Sequence, residues 1–195
     1  LLASRLGNGS ENSAYSVAFS LVFTLTILFS CFLQTAFQPI YSRVRFQDGQ
    51  READRYASGM LTFFGLAGLG IGILLYLFAP QIASVYMPGY SPEGQALVAQ
   101  MIRLLTPMFV LQVAAYLLTA LLNANESFIV PHLATMSLSF ALIPTLAFTR
   151  SGDPRQIALA VALATSASAV LEVLIQLPAA SRRLKFRPVL QPRDP

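Results

Sequence analysis

Five times along this chain, more than twenty residues pass with at most one ionised side chain: 14–42, 57–79, 96–122, 128–149 and 157–180. A helix rises about 1.5 Å per residue, so each run is long enough to cross the roughly 30 Å of hydrocarbon in a bilayer. No water serves the backbone inside lipid. Each run must therefore satisfy its own N–H and C=O groups as a helix rather than as an open strand. Charged residues make up 11% of the chain, against about 25% in an ordinary soluble domain. The fold expected is all-α, a polytopic transmembrane helix bundle. Residues 1–6 read as the end of another helix, which gives about six spans with the first truncated and a chain that is part of a longer protein.

The connecting stretches set the expected topology. They are GNGSENS (7–13), RVRFQDGQREADR (43–55), PQIASVYMPGYSPEG (80–94), NANES (123–127) and RSGDPRQ (150–156). Arg43, Arg45, Arg51 and Arg55 follow the second span, and Arg182, Arg183, Lys185, Arg187 and Arg193 follow the sixth. The opposite side has Arg5, Arg150 and Arg155. A nine-to-three bias of Lys and Arg places 43–55 and the tail in the cytoplasm and 80–94 and 150–156 outside. Residues 1–181 read as one membrane lobe and 182–195 as a basic tail or linker. Cations clustered between apolar runs are topology signals, so no nucleic-acid partner is expected.

Polar residues within the spans are the candidates for function. At 100° per residue, Ser13, Ser16, Ser20, Thr24, Ser30, Cys31, Gln34, Thr35 and Gln38 fall in an arc of roughly 140° on the second span, interrupted by Phe23 and Ile27. Such a stripe either faces a water-filled cavity or glues helices together in lipid. Its length and its glutamines favour the cavity, with Ser13, Ser20, Thr24, Gln34 and Gln38 as lining candidates. Thr165, Ser168, Glu172 and Gln176 share one face of the sixth span. An ionisable group in a span is costly unless it meets water or a partner, which makes Glu172 a candidate on the facing wall. Arg103 lies near the outer end of the fourth span, at a different depth from Glu172, and either lines the cavity or snorkels to the surface. On that span Gln112, Tyr116 and Thr119 point away from Arg103. Pro107 is the expected hinge, because proline removes a helical hydrogen bond. His132 reads as a satisfied structural residue.

Other signals carry less. GLAGLGIG (65–72) lies inside an apolar span with no strand before it, so Gly68 and Gly72 suit close helix packing rather than a dinucleotide. One cysteine and one histidine do not make a metal site, and NGS and NES match the glycosylation sequon, a frequent chance match. No nucleophile triad, phosphate loop or cofactor motif is present, so the chain reads as a transporter rather than an enzyme.

Four stretches carry a family resemblance: GNGSENSAYSVAF with QTAFQPIYS, VYMPGYSPE, IRLLTPMF with LLNANESFIVPHLA, and IQLPAASRRLKFRP. In this order the chain resembles the MurJ/MviN family of lipid II flippases, in the multidrug/oligosaccharidyl-lipid/polysaccharide exporter superfamily. The resemblance implies the N-terminal half of a two-lobe transporter in the bacterial inner membrane. It implies alternating access, a polyprenyl-linked saccharide as substrate, membrane lipids as surroundings, and cell-envelope biosynthesis proteins as partners. It also implies charged residues that are absent here. The family's loop aspartate falls on Ser13, its first-helix arginine on Ser4 with Arg5, a further lining candidate, beside it, and its second-helix arginine pair near Leu25 and Thr26. Two alternatives stay open beside the flippase: a cation-coupled small-molecule exporter of the same superfamily, and a membrane scaffold that no longer transports.

Overall fold

A computed structural model describes residues 10–149 and 153–183. The second span is one continuous rod: α1 (Ser10–Phe32), a π-helical turn (Leu33–Phe37) and α2 (Gln38–Gln47). The third span is α3 (Gln50–Leu77), followed by the short helix α4 (Ala79–Tyr86). The fourth is α5 (Pro92–Ala124). The fifth divides into α6 (Ile129–Thr135) and α7 (Ser137–Phe148), and the sixth is α8 (Pro154–Arg183). Five of these rods are long and apolar enough to cross a membrane, and the described residues contain no strand. Residues 1–6 and 184–195 lie outside the described residues, and with them the stretch read as the end of a first span and most of the basic tail.

Several expected loops are helical. The polar stretch 7–13 enters α1 at Ser10, and in the basic stretch 43–55 only Asp48 and Gly49 lie outside helices. Charge ends burial in lipid; it does not end a hydrogen-bond ladder. The turn is made instead by Gly49, whose φ of 90° is a conformation that a side chain disfavours. The stretch 80–94 likewise contains α4.

The π turn has a local cause. Pro39 has no N–H to give back to the preceding turn, and its ring crowds the carbonyl there. The backbone widens just before it, and the Thr35 hydroxyl donates to the carbonyls of Cys31 at 2.8 Å and Phe32 at 3.3 Å. Such π turns inside α-helices are frequent at functional sites.

Helix α5 is the centre of the lobe and packs against α1, α3 and α8. Its Met101, Ile102, Leu105, Phe109, Leu117, Leu121 and Leu122 are buried, with Phe29 edge-on to Phe109 at 5.6 Å. Small residues let the rods approach where lipid supplies no hydrophobic drive. On α8, Ala158, Ala162 and Ala169 are fully buried, and the Ser166 hydroxyl donates to the Leu104 carbonyl of α5. Near one end, the Tyr41 hydroxyl accepts from Gln50 at 3.3 Å and Asn125 at 3.2 Å, joining three elements.

The glycines on α3 differ in how tightly they are held. A Cβ at Gly72 would lie 2.5 Å from Val110 Cγ2, whereas one at Gly68 would meet Val113 at 3.4 Å, ordinary contact. Gly72→Ala is therefore expected to destabilise the protein by about 1–3 kcal/mol through overpacking, and Gly68→Ala to be near neutral. Thermal unfolding of the two variants in detergent checks the contrast; equal effects would contradict it.

Candidate functional site

The stripe on α1 and the polar face on α8 meet different surroundings. Ser16, Ser20, Thr24, Cys31 and Thr35 are exposed along one side of the second span. Phe23 and Ile27 interrupt them and are also exposed. Ser13 and Gln38 are half-buried, and Ser30, at the edge of the arc, is buried. Thr26, off the arc, is fully buried and donates to the Val22 carbonyl. From Ser16 to Thr35 the exposed side chains extend about 28 Å along the axis, close to the hydrocarbon thickness. The Gln34 side chain and all of Arg5 lie outside what the structure describes.

The exposed stripe is neutral, and its hydroxyls are partly committed. Thr24 donates to the Ser20 carbonyl at 2.7 Å, as Thr35 does to Cys31. A threonine hydroxyl that donates to its own helix turns lone pairs outward. At these two positions the surface therefore offers acceptors, suited to O–H and N–H donors, not to an anion. Leu25 is half-buried and Thr26 is buried, so neither reaches the stripe.

On α8 the whole polar face turns into the bundle. Thr165, Ser168, Glu172 and Gln176 are buried. The Tyr15 hydroxyl and Thr165 Oγ1 lie 3.1 Å apart, linking α1 to α8. Gln112 Nε2 of α5 donates to Glu172 Oε2 at 2.8 Å, and Thr119 Oγ1 donates to Gln176 Oε1 at 3.1 Å. Among the described residues, Gln176 Nε2 is buried without a hydrogen-bond partner. Glu172 is thus placed between two packed helices, not on an open wall across from Thr24. The sequence has polar faces on both the fourth and sixth spans. Two such faces in lipid find each other, which is the available signal for this pairing.

Arg103 belongs to neither group. Its Nε donates to the Tyr76 carbonyl at 3.2 Å, and its guanidinium carbon lies 5.5 Å from the centre of the Tyr76 ring. Helix α5 passes through Pro107 without interruption. His132 is exposed, with Nδ1 2.6 Å from the Phe128 carbonyl.

Comparison with known proteins gives a consistent picture. A family model described as "Lipid II flippase MurJ" matches residues 2–195. A protein of Thermotoga maritima named "Probable lipid II flippase MurJ" is 28% identical over 156 residues, which is 80% of this chain and 32% of the relative. A "Lipid II flippase MurJ" of Thermosipho africanus is 27% identical over 154 residues, 78% of this chain and 32% of the relative. Among solved structures, "Lipid II flippase MurJ, inward closed conformation" superposes with a TM-score of 0.74 at 21% identity, over 97% of this chain and 39% of that one. The chain spans about a third of the length of these two curated relatives.

Proposed function

We propose a function from one premise: the chain belongs to the lipid II flippase MurJ family, whose model matches residues 2–195. On that premise residues 1–181 form the N-terminal lobe of a two-lobe transporter and 182–195 its basic link to the second lobe. The full-length protein moves a polyprenyl-linked saccharide, lipid II or a relative of it, across the inner membrane by alternating access, with Pro107 as the proposed hinge within the continuous α5. Its work then lies in building peptidoglycan or another polysaccharide, beside other cell-envelope biosynthesis proteins. The nine-to-three arginine and lysine bias supports a cytoplasmic position for 43–55 and the tail.

The observation that carries this reading is the exposed neutral stripe on α1. Polar side chains gain nothing by facing lipid, so Ser16, Ser20, Thr24, Cys31 and Thr35 face an aqueous passage shared with the other lobe. Outward-turned lone pairs at Thr24 and Thr35 suit the hydroxyl and amide donors of a saccharide. Charge for a pyrophosphate must then come from outside the stripe, since none of its described members is charged. Expression of the full-length gene in a flippase-depleted strain is the test. Restored growth is expected; growth that fails despite normal membrane levels would favour a scaffold.

A further inference from the structure

An open groove runs between α3 and α5, with a volume of about 400 Å³. Leu69, Gly72, Ile73 and Val110 form its apolar length, and Arg103 and Tyr76 stand at one end. At Gly72 the two helices are in close contact, with Val110 packed directly over the glycine. Thr106 adds no polar group, because its hydroxyl donates inward to the Ile102 carbonyl at 2.9 Å.

The charged end sits where a membrane ends. Tyr76 is one residue from the C-terminus of α3, some twenty residues beyond Arg55, so it lies at the membrane face opposite the 43–55 arginines. Arg103 spends one of its five N–H donors on the last-turn carbonyl of Tyr76. Among the described residues, its remaining N–H groups have no acidic or carbonyl partner. The Tyr76 ring holds the guanidinium by a cation–π contact and fixes its direction.

We propose that this groove is a seat for one anionic phospholipid. Arg103 takes the headgroup phosphate at the interface, and one acyl chain lies along Leu69, Gly72, Ile73 and Val110. Charge complementarity selects the occupant: a forked guanidinium pairs with a phosphate at a membrane surface, and a headgroup with no cation of its own leaves that phosphate's charge uncancelled. None of the groove's lining residues belongs to α1, so its lipid is a structural companion and not the transported molecule.

The test uses the full-length protein in detergent micelles, analysed by native mass spectrometry with phosphatidylglycerol or phosphatidylcholine added. Phosphatidylglycerol adducts are expected to exceed those of phosphatidylcholine. Arg103→Gln should weaken phosphatidylglycerol retention about fivefold to tenfold, and that of phosphatidylcholine, whose phosphate charge is offset by its own ammonium, by less. Arg103→Lys should keep most of it, and Ile73→Trp, which fills the groove from an exposed position, should reduce both lipids. Melting temperatures of the variants show that the fold is intact. Equal retention of the two lipids by the wild type, or undiminished phosphatidylglycerol retention in Arg103→Gln, would overturn the proposal. So would displacement of the lipid by undecaprenyl pyrophosphate in the wild type, which would make the groove a substrate site.

Discussion

Joint replacement of Ser20 and Thr24 by leucine in the full-length protein is expected to abolish rescue of a flippase-depleted strain while leaving its unfolding temperature nearly unchanged. Both side chains are exposed, so no interhelical packing is lost. Two neutral hydrogen bonds to a passing saccharide, each worth about 0.5–1.5 kcal/mol, would vanish, and two branched side chains would narrow the path. Transport should fall by roughly tenfold or more. Thr24→Ser keeps the hydroxyl and should transport normally. Full rescue by the double leucine variant would mean that this face meets lipid or an inert part of the other lobe.

Replacement of Glu172 has the opposite signature. Glu172→Leu leaves the Gln112 amide buried without its 2.8 Å acceptor, at an expected cost of about 1–3 kcal/mol. Pairing it with Gln112→Leu should recover part of that loss. The coupling between the two sites should be about 0.6–1.7 kcal/mol, as for other hydrogen bonds between membrane helices. Glu172→Gln retains an acceptor and should stay close to wild type in both stability and transport. A Glu172→Gln protein that folds normally but does not transport would favour cation-coupled export.

How far the sequence could be read depends on whether the physics was local. The spans were legible because length and apolarity in lipid leave only a helix. The ends of the helices were not. The arginines of 43–55 announce the membrane surface, yet the backbone ladder continues through them until Gly49 turns. The break at Met136 in the fifth span and the π turn at 33–37 are backbone events, and periodicity at 100° per residue passes over both. Pro39 was the one visible warning of the second.

The stripe and the α8 face show the same division. Periodicity groups Thr24 with Ser20, and Glu172 with Gln176, but it does not say what either face meets. That depends on residues far away in the chain. Gln112 is sixty positions from Glu172, and Tyr15 is 150 from Thr165. Both faces look alike in sequence; one is packed and hydrogen-bonded, the other open. Arg103 illustrates the point again. Its position near a span end says that it can snorkel, but not that the carbonyl and ring of Tyr76 fix where the charge points.

Everything proposed for transport rests on the α1 stripe meeting water. The direct measurement is thiol labelling of the full-length protein in membranes with a hydrophilic, charged reagent. Single cysteines at Ser20 and Thr24, and the native Cys31, are compared with Leu66 and Phe140, which are also exposed in this lobe, at 57% and 65%. Rapid labelling at the three stripe positions, with Leu66→Cys and Phe140→Cys unreactive, is the predicted result. If the stripe cysteines are as unreactive as those at 66 and 140, the stripe faces lipid and the passage is elsewhere.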